Sequence, residues 1–149
     1  TPMPYTPIVA TLGYVLSADG RRCLMVHRNA RPGDQHLGKY NGLGGKIEPD
    51  EDVLAGMRRE IHEEAGVTCG AVRYVTSQPW PFGGSQLMMA CIADAQGDAL
   101  VLDTTEIEDA MWVTKEEARA ALDGASDRRF NAPPPFAIAH SLLKYWVSQ

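Results

Sequence analysis

The sequence is poor in the features that mark whole classes of protein. Its three cysteines, Cys23, Cys69 and Cys91, are odd in number and far apart, with no CxxC or Cys/His cluster. That argues against a zinc site and against a disulfide framework, and each cysteine reads as a buried free thiol in an apolar stretch. No run approaches the ~18 apolar residues that a membrane span requires, so no membrane partner is expected. There is no Lys/Arg run, and the net charge is −5. Such a chain is poorly suited to gripping a long nucleic acid, whereas a small phosphorylated ligand stays open because a metal ion can supply positive charge. The opening Thr1-Pro-Met-Pro-Tyr-Thr-Pro7 lacks the basic-then-apolar order of a signal peptide, which makes a reducing, cytoplasmic location the expectation. No internal repeat or long linker divides the 149 residues, so residues 1–149 are expected to form a single domain.

What is present alternates between strand and helix signals. Ile8 to Leu16 and Arg22 to His27 are apolar runs separated by the turn Ala18-Asp19-Gly20, which predicts a hairpin. Asn29 to Asn41 reads as loop. Asp52 to Ala65 has helical spacing, with Gly66 as its C-terminal cap. Strands are predicted at Val72 to Ser77, Leu87 to Ala93, Ala99 to Leu102 and Met111 to Val113, with Gln78 to Ser85 as a Pro/Gly-rich loop. Lys115 to Leu122 is helical, and Pro133-Pro134-Pro135 opens a last helix carrying Ile138, Leu142, Leu143 and Trp146 on one face. Trp146 and Tyr145 read as core or dimer packing. The order lacks a βαβ rhythm and predicts an α/β fold in which helices pack on a mixed sheet.

The segment from Lys46 to Gly66 carries seven carboxylates and three Lys/Arg, a balance of −4. On a helix, Glu60 and Glu64 stand about 40° apart, one turn above the other, and Glu63 lies about 60° to the other side of Glu60. Leu54, Met57, Ile61 and Ala65 form an adjacent apolar stripe. The three carboxylates therefore run along the edge of the buried face. A hard divalent cation such as Mg²⁺ or Mn²⁺ would relieve their repulsion. A solvated face screened by Arg58 and Arg59 is the other account, and the spacing alone leaves both open.

Gly45, Glu51, Arg59-Glu60-Ile61, Glu63-Glu64 and Gly66-Val67 fill every specified position of the Nudix box. This resemblance covers the whole chain and implies the α/β/α sandwich of the Nudix family, with a mixed β-sheet between helices. It also implies a Mg²⁺- or Mn²⁺-dependent hydrolase of a diphosphate linked to a nucleoside. By the same resemblance the metal ligands fall on Glu60, Glu64, the carbonyl of Gly44 and, as ligand or base, Glu63. Arg59 would orient the carboxylate of Glu51. Glu106, six residues before Trp112, resembles a glutamate that is metal-bound or basic in some members. The family resemblance further implies a homodimer.

The two halves resemble different branches. Ser77-Gln78-Pro79-Trp80-Pro81-Phe82-Gly83-Gly84-Ser85 is similar to the marker array of NADH pyrophosphatases, with Gly83 in place of a proline. The stretch Ala132 to His140 continues that likeness. It implies substrate contacts at Gln78, Trp80, Phe82, Ser85 and Ala139, with the aromatics as a stacking wall for a planar ring. Gly38 to Lys46 instead resembles MutT-like nucleoside triphosphate pyrophosphatases, where Asn41 matches a base-reading position. Lys46 stands where the NADH branch has an aromatic, and the zinc ribbon that precedes the catalytic domain in that branch is not in this sequence. Two explanations cover the split: a natural subgroup of mixed character, or a chimera joined between Gly70 and Tyr74. A dinucleotide such as NADH is the expected substrate. The alternatives are an oxidised nucleoside triphosphate, or a nucleotide-binding module with little turnover.

Overall fold

The computed structural model describes residues 8–28, 40–80 and 86–149. Strands β1 (Ile8–Leu16) and β2 (Arg22–Arg28) form the hairpin, turned at Gly20 with φ 73°. The carboxylate of Asp19 stitches this turn, accepting from the Ser17 hydroxyl at 2.6 Å and the Arg21 amide at 3.0 Å. Only Leu16 and Cys23 pair across β1 and β2, after which the strands splay. The gap is filled by β3 (Tyr40–Asn41), which pairs with β2, and by the glycine-rich segment that follows. Leu43 bridges to Gly13 and Lys46 to Ala10. This approach is so close that a β-carbon at Gly44 would fall on the carbonyl oxygen of Thr11. Glycine is required there because there is no room for a side chain, not because of a special φ.

On its other edge β1 runs parallel to β5 (Gln86–Ala95), in register from Ile8–Gln86 to Leu16–Asp94. Strand β4 (Cys69–Trp80) lies antiparallel to β5, and β6 (Ile107–Thr114) lies antiparallel to β2. The result is a six-stranded mixed sheet. Strand alternation sends Leu12, Tyr14, Leu16, Cys23 and Met25 to one face, where α2 (Lys115–Leu122) and α3 (Ile138–Val147) cover them. Val15, Leu24 and Val26 face the other way, onto Met57, Ile61 and Ala65 of α1 (Val53–Ala65). The architecture is the expected helix–sheet–helix sandwich.

Helix ends follow their sequence signals. Asp52 caps α1 by accepting from the Ala55 amide at 2.8 Å, and Gly66 closes it in the left-handed conformation at φ 69°. Thr114 and Glu117 form a reciprocal capping box on α2.

Several elements differ from their sequence reading, each for a physical reason. Residues 99–102 form no strand, because the backbone there satisfies the end of α1. The Val101 amide donates to the Ala65 carbonyl and the Asp103 amide to that of Glu64, both at 2.9 Å. Strand β4 continues through Pro79 to Trp80, which read as loop. It is an edge strand, where a missing N–H costs no ladder bond. Strand β6 begins at Ile107, four residues early, with the exposed Glu108 and Asp109 as charges on an edge. Helix α3 starts at Ile138 and not at the prolines, since a residue before proline is pushed out of helical geometry. Leu54 is 39% exposed, while Glu64 takes a buried place on α1 beside Met57 and Ile61. Tyr145 is exposed, whereas its neighbour Trp146 is core.

Met57 is wholly buried, with its sulfur against Gly13 of β1. Met57→Ala is expected to lower unfolding free energy by about 2–5 kcal/mol, read from the urea midpoint at unchanged slope.

Candidate active site

Two arginines divide the carboxylates of the site between them. Arg59 projects from α1 and holds Glu51 in a two-pronged pair, with Nε donating to Oε2 at 2.7 Å and Nη2 to Oε1 at 2.9 Å. Its Nη1 reaches Glu60 and Glu63, each at 3.1 Å, and its Nη2 donates to the carbonyl of Lys46 at 3.2 Å. Arg59 thus fixes both the helix and the glycine-rich segment. The Arg59 contact, followed by the Glu48 amide, holds the Glu51 carboxyl below its ordinary range.

Arg28, at the end of β2, meets the other set. Its Nη2 lies 3.1 Å from Glu64 Oε2 and 3.5 Å from the carbonyl oxygen of Gly44. Nη1 lies 3.9 Å from Glu106 Oε2. Sequence reasoning missed Arg28. The signal was available: Leu24, Val26 and Arg28 alternate onto the face that α1 covers, so an arginine ending that row must reach the carboxylate helix.

Glu64 is 3% exposed. Burial pushes its carboxyl up to about 8 against the pull of Arg28, and the hydrogen bond and charge of Glu60 add to the rise. Its Oε2 is buried with no hydrogen-bond partner among the described residues, because the Arg28 contact is close without being aligned. Gly45 makes room for the neighbouring acid: a β-carbon there would stand 2.5 Å from Glu60 Oε1.

The structure therefore brings Glu60, Glu64 and the Gly44 carbonyl to one place. Glu63 is more than half exposed and turned to Arg59, and Glu106 stands at ion-pair distance from Arg28. Glu108 points away, pairing with His27 Nδ1 at 3.0 Å. Among the described residues no group of three or more His, Cys, Asp and Glu side chains is arranged to hold a metal. What stands together is a carboxylate pair and a carbonyl. An oxygen-only donor set, an orphaned buried carboxylate oxygen and an excess of negative charge fit a hard divalent cation.

Beside these groups lies a cavity of about 290 Å³. Its lining includes Arg28, Lys46, Gly44 and Gly45 together with the apolar Leu12, Met88 and Ile138. Of the residues expected to touch substrate, Asn41, Lys46 and Ala139 line it. Ala139 is held in place by the buried Tyr14, whose hydroxyl donates to its carbonyl at 3.1 Å. Gln78 is not in the lining. Its Nε2 donates to the Phe136 carbonyl at 2.9 Å, and its Oε1 is buried without a partner among the described residues. Phe82, Ser85 and the side chain of Trp80 lie outside the described residues.

Fold and site together define a Nudix domain, and comparison agrees. The family model for the NUDIX domain matches residues 6–132, and the chain belongs to that family. Among curated proteins it is 41% identical over 133 residues to the human NAD-capped RNA hydrolase NUDT12, covering 89% of this chain and 28% of that protein. It is 33% identical to the human mitochondrial NAD(P)H pyrophosphatase NUDT13, covering 97% of this chain and 43% of that one. It is 36% identical to the NAD-capped RNA hydrolase NudC of Chromobacterium violaceum, covering 95% and 47%. The chain thus spans less than half the length of each of these relatives. A MutT NUDIX hydrolase structure from Burkholderia pseudomallei superimposes with a TM-score of 0.68 at 20% identity, covering 96% of this chain and 99% of that one. Each of the three sequence matches crosses the Gly70–Tyr74 stretch.

Gly45→Ala is expected to displace the Glu60 carboxylate, the flexible end of its side chain, without unfolding the chain. Calorimetric titration with Mn²⁺ should then show affinity weaker by roughly 10-fold, since small misplacements of such groups are costly.

Proposed function

We propose that this chain is a Mg²⁺- or Mn²⁺-dependent pyrophosphohydrolase acting on a dinucleotide such as NADH. The observation that carries the reading is the carboxylate pair Glu60 and Glu64, set with the Gly44 carbonyl beside a cavity whose lining includes both basic and apolar side chains. The NAD-directed names of its relatives support the substrate class. Residues 1–149 act as one Nudix unit in this reading.

Glu60, Glu64 and the Gly44 carbonyl would hold the ion, with Glu63 and Glu106 as further carboxylates within the same zone. When bound, the ion supplies positive charge to the diphosphate oxygens and lowers the pKa of a water molecule. Arg59 keeps Glu60 and Glu63 oriented through its pair with Glu51. Lys46 and Arg28 face the phosphates, and Leu12, Met88 and Ile138 accept an apolar ring face. Water attacks one phosphorus, the bridging P–O bond breaks, and the proton passes to Glu63 or Glu106. Trp80, Phe82, Ser85 and Gln78 are assigned to the nucleoside end, with Ala139 offering its backbone.

The second reading, a MutT-like nucleoside triphosphate pyrophosphatase, is favoured by Asn41 and Lys46, both of which line the cavity. We further infer a cytoplasmic homodimer. Three unpaired thiols suit a reducing compartment, and Tyr74 on the β4 edge and Phe136 before α3 are exposed apolar side chains that a second copy could cover. No helix among the described residues is long and apolar enough to cross a membrane.

The deciding experiment is Mg²⁺-dependent turnover of NADH, ADP-ribose, dGTP, 8-oxo-dGTP and an RNA bearing a 5′ NAD cap, with products separated by chromatography. NADH split into a mononucleotide of nicotinamide and AMP is the expected result, and Glu60→Gln should lower that rate by ~10²-fold or more while nucleotide affinity persists. Pyrophosphate release from a triphosphate, with NADH untouched, would replace the first reading by the second. Lys46→Phe places a stacking ring at the cavity wall. It should raise kcat/KM for NADH relative to dGTP by roughly 10-fold, a ratio that stays constant if position 46 does not meet the base.

A further inference from the structure

Outside the carboxylate helix, the group whose surroundings the proposed chemistry leaves unexplained is Arg28. Its guanidinium touches the same oxygens that the divalent ion would take: Glu64 Oε2 at 3.1 Å and the Gly44 carbonyl oxygen at 3.5 Å. It also stands 3.9 Å from Glu106. A carboxylate as buried as that of Glu64, 4% exposed at its side chain, needs a counter-charge in place whenever it is ionised. Among the described residues Arg28 is the cation within ion-pair distance of it, since Arg59 is engaged by Glu48, Glu51, Glu60 and Glu63.

Two cations cannot share these oxygens, because like charges a few ångströms apart repel strongly where water is scarce. The guanidinium's contact with Glu64 Oε2 is close but not an aligned hydrogen bond, and its hydrogen bond to the Gly44 carbonyl is long at 3.5 Å. The Arg28 side chain is 30% exposed and lines the cavity, so it has open space to move into.

We propose that Arg28 is a positioning residue that competes directly with the divalent ion, holding Glu64 and the Gly44 carbonyl together until the ion displaces its guanidinium into the cavity. Arg28 thereby sets the metal affinity of the site as well as its geometry. The proposal rests on the metal reading given above.

The test is Mn²⁺ binding to the full chain without nucleotide, by calorimetry and electron paramagnetic resonance, for wild type, Arg28→Met and Arg28→Lys. Arg28→Met should bind Mn²⁺ more tightly, on the order of 10-fold, with Arg28→Lys between the two because an ammonium keeps the charge but cannot span the oxygens. Equal or weaker binding by a folded Arg28→Met overturns the proposal while leaving the metal site intact. Absence of Mn²⁺ binding by wild type overturns the metal reading and the proposal with it. A second measurement needs no variant: Mn²⁺ should raise the rate at which phenylglyoxal modifies Arg28 in the wild-type chain, mapped by peptide mass spectrometry. An unchanged or slower rate overturns displacement, and it decides the matter if Arg28→Met fails to fold.

Discussion

Carboxylates packed along one edge of α1 repel one another, and the repulsion grows where the sheet excludes water. Glu60 and Glu64 stand a turn apart against the glycine-rich segment, Glu51 and Glu63 flank them, and Glu106 approaches from the start of β6. A helix so loaded stays docked only if cations reach into the cluster. Arg59 does so from the same helix and Arg28 from the end of β2, so each carboxylate except Glu64 finds a partner in solvent or in an aligned guanidinium. Glu64, with its carboxyl pushed up to about 8, is where the compensation falls short.

The sheet supplies the space in which this chemistry can act. Because β1 and β2 pair only at Leu16 and Cys23, the strands part and admit the backbone of Leu43 to Lys46 between them. The glycines allow that segment to lie directly on β1, where the Leu43 and Gly45 carbonyls accept from the Gly13 and Thr11 amides while those of Gly44 and Lys46 meet Arg28 and Arg59. A tighter hairpin would have closed the cavity. Tyr14 reinforces the arrangement from beneath, tying β1 to the first turn of α3, so that the apolar wall at Ile138 and Ala139 keeps its place.

Much of this was legible in the residues. Asp52, Gly66 and the spacing of Met57, Ile61 and Ala65 announce α1, and the box residues locate the carboxylates before any coordinate is known. What escaped reading depends on partners distant in sequence. Glu64 reads as one of three equivalent edge acids, and only the glycine-rich segment and Arg28 packed over it make it the buried member. The stretch 99–102 has strand-like residues, yet its amides are claimed by the end of α1. Pro79 reads as a breaker because nothing local says that β4 is an edge. Arg28 was the one readable omission, since strand alternation alone points it at the helix. The marker array from Ser77 to Ser85 carries the substrate argument, and its residues 81–85 lie outside the described residues.

The parallel pairing of β1 with β5 has a bearing on how the chain reaches this state. Ile8 cannot find Gln86 until all the residues between them have been made, so the strand that floors the cavity spends early synthesis with one long edge open. Such non-local pairing slows folding and leaves an apolar edge available to other chains in the meantime. The register between these two strands also sets where Met88 and Leu12 meet at the cavity wall. Completion of the cavity is therefore a later event than formation of α1, and a nascent chain can carry a finished carboxylate helix well before the cavity beside it has all of its walls.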